Sequence, residues 1–377
     1  MEKLTLAMGT VSNKNTITAI EGILIETLEN GRVRLTSYDM NKGYRAELDP
    51  VSIEREGKFI INAQRLFQTV RVMPNDDITF DIKDNGGCEI SSDKASFSMF
   101  GMPGENFPNI PDLVTERGFT TMSDNIKRMI GKVQHSISDQ DNRPMLRGAF
   151  FKVSENGLEV VSCDSFTLSK CTLSCEVGSL SVDGTSSYSF IIPGEALGEL
   201  NKVLSDGDNS EVLFYLSRKH AIIAKDDNIF FTRIIDSEYI DYNRIIPRDN
   251  DIRVELDRAR LLSGLERANI IAEEKIQGSG RSYVKLIVEG QSLTLNSTSV
   301  NGEVSDEMDC VHEGGDLEIG FNCRYLINSV KVIDSEEIVI TLKGSTQAIT
   351  IEPKECEEGF SSFYMILPVR MNDASKQ

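Results

Sequence analysis

The chain has 377 residues, 40% of them apolar and none of them tryptophan; this excludes wholesale disorder and exceeds what one ordinary core organises. Its 40 basic and 59 acidic residues leave a formal charge of −19, which argues against a phosphate-binding surface over the whole chain but leaves room for a local one. Seven cysteines, an odd count with no C-x-x-C pair, fit reduced thiols in a cytoplasmic protein rather than a disulfide framework.

The first residues carry no long apolar stretch, so no secretory signal is expected, and no apolar run reaches the ~18 residues of a membrane helix. Residues 4–12 have helical spacing. Residues 30–39 set turn residues ahead of an alternating strand. Residues 59–70 read as a short apolar strand running into a helix, and 77–82 as a further strand. A Pro-bearing turn follows at 107–111.

The same order then recurs. A helix is expected over 124–138, a strand over 156–164, a strand-helix pair over 190–201, a strand over 212–216 and a Pro-bearing end at 239–247. The third round runs through 257–274, 290–298, 317–328, 337–342 and 363–368. Asp124 and Asp257 are the expected N-caps of the long helices. Phe59, Phe190 and Leu317 sit about 130 residues apart, so the repeat is domain-sized rather than a solenoid unit. The expected divisions are 1–118, 119–247 and 248–371, with a tail over 372–377. Each repeat is read as two helices on antiparallel sheet, an α+β arrangement. Three similar domains in a row let two chains close six domains by a head-to-tail contact.

The helices are locally basic. Residues 124–138 hold Lys127, Arg128 and Lys132, residues 257–274 hold Arg258, Arg260 and Arg267, and the shorter helices hold Arg65, Arg71, Lys202, Arg324 and Lys331. Such a face either solvates a helix or points at a duplex, where phosphate contacts ignore sequence.

No G-x-S-x-G or Walker A motif occurs. Asp39 and Asp164 recur at matched places and are expected to be turn or capping groups, not a catalytic carboxylate pair. His135, His220 and His312 have no second ligand near them in sequence, so neither a metal nor a cofactor is expected. An enzyme or an adhesive β-rich protein are the rival classes; the first would need a nucleophile or nucleotide motif, the second a signal or disulfides.

Over almost its whole length the chain resembles the bacterial sliding clamps, the beta subunits of the replicative DNA polymerase III holoenzyme. The resemblance rests on Gly101-Met-Pro-Gly-Glu-Asn-Phe-Pro108, Tyr239-Ile-Asp-Tyr-Asn-Arg-Ile-Ile-Pro247, Leu317-Glu-Ile-Gly-Phe-Asn322 and Tyr364-Met-Ile-Leu-Pro-Val-Arg-Met371, in that order and spacing. It implies three repeated DNA-clamp domains forming a six-domain ring as a head-to-tail homodimer around duplex DNA, without catalysis of its own. The implied partners are the replicative polymerase, an ATP-driven clamp loader and other proteins carrying a clamp-binding motif.

The implied partner-peptide pocket comprises Leu146, Cys163, Ser165, Phe166, Thr167, Leu168, Arg244, Ile245, Asn322, Tyr325, Ile366, Leu367, Pro368, Val369, Arg370 and Met371. Implied DNA contacts are Lys14, Arg71, Gln140, Arg143 and Lys202. The dimer contact is expected to set Phe107 and the preceding Ser96–Met102 strand against Ile270, Ile271 and the third repeat's edge. Family members usually show Gly or Ser, then His, Arg and Leu, where this chain reads Ser165-Phe-Thr-Leu168. A Gly-rich run at 277–280, the tail at 372–377 and a start without the usual first strand are further departures. A divergent clamp with altered partners is therefore a second reading within the family.

Overall fold

The structure is a computed structural model and describes residues 1–377 except 13–16, 75, 84, 112–115, 176, 182–183, 185, 205–206, 273–282, 300–301 and 372–377. The first repeat holds α1 (Glu2–Met8), β1 (Gly22–Thr27), β2 (Val33–Tyr38), β3 (Lys42–Leu48), β4 (Lys58–Asn62), α2 (Ala63–Val72), β5 (Thr79–Ile82), β6 (Gly87–Ser92), β7 (Ala95–Phe100) and β8 (Met102–Pro103). The second holds β9 (Arg117–Met122), α3 (Ser123–Val133), β10 (Gly148–Ser154), β11 (Gly157–Cys163), β12 (Thr167–Ser174), β13 (Gly178–Ser179), β14 (Tyr188–Pro193), α4 (Gly194–Val203), β15 (Glu211–Leu216), β16 (His220–Lys225) and β17 (Asn228–Arg233). The third holds β18 (Ile252–Asp257), α5 (Arg258–Ala272), β19 (Val284–Glu289), β20 (Ser292–Thr298), β21 (Glu303–Asp309), β22 (Val311–Glu313), β23 (Leu317–Phe321), α6 (Cys323–Lys331), β24 (Glu337–Leu342), β25 (Ile349–Pro353) and β26 (Phe360–Ile366).

Each repeat thus carries one four-strand block, a short helix and a second strand block, as the periodicity predicts. The boundary expected after residue 118 cuts through β9, which begins two residues earlier, at Arg117. Two helix expectations shift. The first helix begins at Glu2, not at Leu4, and α3 ends at Val133, with a 3₁₀ turn over Gln134–Ser136. Asp257 caps α5, accepting from the Arg260 N–H at 2.6 Å. Asp124 lies inside α3 instead, and its Oδ1 accepts from the Gly207 N–H at 3.0 Å, tying the helix start to the loop after α4.

The described residues form two compact units, and the chain passes between them after residues 127, 177, 186, 194 and 235. One comprises Met1–Lys127, Gly178–Ser186 and Glu195–Ile235. Its main sheet runs β13-β9-β15-β16-β17-β3-β2-β1-β4-β8, and a separate sheet runs β5-β6-β7. The two repeats are joined where β17 pairs antiparallel with β3, Phe231 opposite Gly43. Gly43 has no Cβ, and the Phe231 ring occupies that space, fully buried. The first repeat's core gathers Leu4, Ala7, Ile23, Leu35, Tyr44, Phe59, Ile61 and Leu66 between helices and sheet.

The other unit comprises Arg128–Val177, Ser187–Gly194 and Asp236–Gln377. One sheet runs β14-β10-β11-β12-β26-β25-β24-β18-β22 and another β21-β20-β19-β23. Here β12 pairs antiparallel with β26, from Thr167 opposite Ile366 to Leu173 opposite Phe360. The third repeat's core runs from Ile252 to Ile366 through both of its sheets and both helices. No helix among the described residues is long and apolar enough to cross a membrane.

Candidate functional site

The expected pocket residues all fall in the second unit, and Thr167, Leu168 and Ile366 among them lie where β12 meets β26. A tight turn links β11 to β12. Asp164 Oδ1 accepts from the N–H groups of Phe166 and Thr167 at 2.9 and 2.6 Å, and Ser165 sits at φ +80°. Asp39 makes the matching turn in the first repeat, accepting from Asn41 and Lys42 at 2.9 and 2.8 Å. Both aspartates are therefore turn groups.

The turn presents Phe166, 54% exposed, whose ring stacks on Tyr325 of α6 with centroids 5.9 Å apart. The chain after β26 is held against the same turn, because the Leu367 N–H donates to Phe166 O at 2.8 Å. Farther along, the Val369 N–H donates to Gly320 O at 2.8 Å. The Met371 side chain lies over Gly320, where a Cβ would sit 2.8 Å from Met371 Cγ. Residues 367–371 thus run along the pocket, with Leu367 and Arg370 exposed and the other three half-buried.

Beneath lies an apolar floor of Leu146, Val161, Cys163, Leu168, Tyr242 and Met365, with Phe150, Tyr239 and Ile246 packed on it. Burial raises the Cys163 thiol, keeping it protonated and apolar. Ile245 and Arg244 are exposed, and Arg244 pairs with Asp241 at 2.8 Å. Asn322 caps α6, its Oδ1 accepting from the Arg324 N–H at 3.1 Å. Its amide nitrogen is then the group that can turn toward a ligand. Together these residues form an apolar cluster with polar groups beside it, a composition suited to a short peptide with hydrophobic anchors.

Thr167 is placed differently from the expectation that it lines the rim. It is buried, and its hydroxyl donates to Ser136 Oγ at 2.8 Å. Ser136 and Ser169 share a 2.7 Å hydrogen bond, and Ser169 lies 3.1 Å from His135 Nε2. Phe166 lies in the turn ahead of β12, whereas Thr167 opens β12, whose first three residues are all buried.

Burial pushes the His135 imidazole down to about 4, so it is neutral in the fold. An unfolded chain takes up that proton near the ordinary value of 6.5. Stability from this group is therefore complete above pH 6.5 and lost as pH falls from 6.5 through 4. Urea unfolding at pH 4.5 is expected to show about 2–3 kcal/mol less stability from His135 alone. His135→Gln should flatten the acid-side dependence by that amount; an unchanged slope would exclude His135 as the source.

The expected DNA-facing residues divide. Lys14 lies outside the described residues. Arg71 ends α2, exposed, with its guanidinium 5.9 Å from the Phe67 ring centre. Lys202 ends α4, and its Nζ lies 2.9 Å from both Glu199 oxygens. The Glu199 carboxylate fills the space beside Gly9, just past α1. In the other unit Gln140 is exposed. Arg143, expected on the same face, is instead held by Asp141 at 2.8 and 2.9 Å and also donates to Ser165 Oγ in the pocket turn. That pairing holds the Asp141 carboxyl well below the usual range. The Asp-x-Arg spacing was the available signal for this local neutralisation.

The basic residues of the long helices are largely occupied within the protein. Lys127 donates to Leu204 O at 2.8 Å. Arg128 lies 4.3 Å over Phe360 and pairs with Glu357 at 2.8 Å. Lys132 is buried against Asp334 at 2.6 Å. Arg260 and Arg267 both hold Asp306 of β21. On the short helices Lys202 is likewise paired, with Glu199, while Arg71 is exposed at the end of α2.

Phe107 departs from its expected interface role. It is buried with Ala19, Leu24, Tyr38, Ile60 and Phe231. The exposed aromatic residues nearby are Phe97 (39%) and Phe100 (76%) on β7, an edge strand without a charged residue. Ile270 on α5 is exposed at 71%, and Ile271 is half-buried. The Ser96–Met102 run expected at the contact is the part that stays exposed, as the uncharged edge strand β7.

The chain matches the family models for the DNA polymerase III beta subunit: the N-terminal domain over residues 1–111, the central domain over 120–241 and the C-terminal domain over 243–370. It is 26% identical over 370 residues to the beta sliding clamp of Staphylococcus aureus, covering 96% of this chain and 94% of that one. A crystal structure of a putative DNA polymerase III beta subunit from Eubacterium rectale is 25% identical, with TM-score 0.89 over 98% of this chain and 97% of its own. A sliding clamp from Bartonella birtlesii bound to griselimycin is 26% identical, with TM-score 0.88 over 98% and 96%.

Proposed function

Because the chain belongs to the DNA polymerase III beta-subunit family, the bacterial sliding clamps, we propose how its own residues close the ring, hold the duplex and take partners. It is a non-catalytic DNA sliding clamp that gives the replicative polymerase processivity. The observation that carries the closure is the pattern of strand junctions. In each repeat, the third strand of the four-strand block and the last strand of the second block are the ones offered to a neighbour. Two such pairs are made within the chain, β3 with β17 and β12 with β26. The pair left over is β21 with β7, each an open edge. A β21 edge of one copy pairing with β7 of a second copy, and the reverse, closes a head-to-tail dimer and leaves neither of these two edges free. Ile270 and Ile271 beside it join Phe97 and Phe100 at that contact.

We keep three functional divisions, near 1–118, 119–247 and 248–371, with the first shortened to admit β9 to the second. Lys14, Arg71, Gln140 and Lys202 contact the duplex through phosphates, and Arg143 stiffens the pocket turn. The net negative charge elsewhere keeps the ring mobile on DNA. The pocket takes the clamp-binding segments of the polymerase, the loader and other partners. The setting is the cytoplasm, where the chromosome is replicated.

The test is retention on circular DNA after loading by a clamp loader. Arg71→Ala with Lys202→Ala is expected to shorten retention severalfold and to lower the salt slope by about 2, one unit per phosphate contact. Linearising the DNA should release parent and variant alike. Retention unchanged in the double variant would move the DNA face elsewhere.

A further inference from the structure

A buried line of hydroxyl groups runs from the Phe166 turn to α6, and His135 stands in the middle of it. Thr167, Ser136, Ser169 and Ser329 are each no more than 2% exposed. Thr167 and Ser169 come from β12, Ser136 from the 3₁₀ turn after α3, and Ser329 from α6. Hydroxyls this deep need acceptors for their protons.

The direction of the line follows from those protons. The Thr167 hydroxyl donates to Ser136 Oγ at 2.8 Å. Ser136 has Ser169 Oγ, 2.7 Å away, as the acceptor for its own proton. Ser169 then donates to His135 Nε2 at 3.1 Å, and Ser329 Oγ lies 3.4 Å from the same nitrogen. Nε2 must offer a lone pair, which places the imidazole proton on Nδ1. Nδ1 is buried, and no protein group among the described residues accepts from it. An aliphatic side chain would fill the space without burying an unpartnered donor. Packing alone therefore does not account for an imidazole at this place.

The two ends of the line carry the aromatic rim. Thr167 directly follows Phe166, whose carbonyl accepts from the Leu367 N–H at 2.8 Å. Ser329 stands one turn after Tyr325 on α6, on the same side of the helix. The Tyr325 ring is the one that stacks on Phe166. One nitrogen of His135 thus faces both elements from which the rim is built. Tyr364 of β26 flanks the imidazole, with ring centres 5.8 Å apart.

On the reading that the Phe166 region takes partner peptides, we infer that His135 is a positioning residue for it. With Nε2 as acceptor, the imidazole ties β12 to α6 and holds Phe166 and Tyr325 at the spacing that a partner's hydrophobic anchor meets. His135 acts through Ser169 and Ser329 and does not itself touch the peptide.

The probe is a fluorescein-labelled clamp-motif peptide, a Gln followed by spaced Leu and Phe anchors, added to the intact chain at pH 7.5. His135→Leu keeps the bulk and removes the acceptor, whereas His135→Gln offers one again in Oε1. Affinity is expected to fall about fivefold to tenfold in His135→Leu and to stay within about twofold of the parent in His135→Gln. Amide exchange at Phe166 and Thr167 should quicken severalfold in His135→Leu alone. Ser169→Ala removes the donor instead and should match His135→Leu, with the two changes together no worse than either one. It carries the test if His135→Leu does not fold. Parent affinity in both His135→Leu and Ser169→Ala, or equal losses in the Leu and Gln variants, would overturn the inference. Exchange that quickens in neither variant would overturn it alone. A parent chain that fails to bind the peptide would overturn the pocket assignment and the inference with it.

Discussion

Phe97→Asp with Phe100→Asp is expected to turn the dimer into a monomer at micromolar concentration, raising its Kd by two to three orders of magnitude, about 3–4 kcal/mol. The two rings are 39% and 76% exposed, so their aspartates cost the isolated fold little. Burying the exposed parts of both rings is worth about 2–3 kcal/mol. The remainder comes from charge. The strand proposed to lie opposite carries Glu303, Asp306, Glu307 and Asp309, and new carboxylates beside them are repelled. Sedimentation velocity reads the result directly, and DNA retention should fall with it. A double variant that remains dimeric at micromolar concentration would refute the β21-β7 junction. Phe107→Asp is the contrasting case: it should destabilise the first repeat rather than the dimer, because Phe107 already packs inside it.

Ending the chain at Ile366 is expected to weaken binding of a clamp-motif peptide by about 100-fold or more while leaving dimerisation and retention on DNA unchanged. Ile366 completes β26, so the sheet keeps its last paired residue. What is lost is one wall of the pocket: Leu367 on Phe166 O, Val369 on Gly320 O and Met371 across Gly320. A hydrophobic anchor then meets water instead of a wall, and loss of two or three apolar contacts is worth about 3 kcal/mol. Fluorescence anisotropy with the labelled peptide checks it. Undiminished affinity would place the partner site outside this pocket. Phe166 adds a specific feature. Its ring and Tyr325 make an aromatic rim, so this clamp should favour partner segments that offer an aromatic or aliphatic face there.

Much of this was legible in the residues. Strand and helix periods are local, so the three rounds of strand, helix and strand could be read by counting, and the matched Asp39 and Asp164 turns followed from Asx chemistry. The family resemblance supplied the pocket residues, of which Thr167, Leu168 and Ile366 lie in the β12-β26 pairing. Side-chain direction was less legible. Thr167 stands beside Phe166 in sequence, yet one is buried at the start of β12 and the other exposed in the turn ahead of it. Arg143 looked available until Asp141 was placed against it.

The sequence by itself determined the fold class, the threefold repetition and the absence of any catalytic motif, because those depend on spacing along the chain. Only the tertiary structure decided which charges are open, which apolar residues are covered and which edges lack a partner. Lys132 and Phe107 are buried, Phe97 and Phe80 are not, and nothing in their residue types says so. Burial and pairing depend on what distant segments bring to the same place, and composition cannot hold that information.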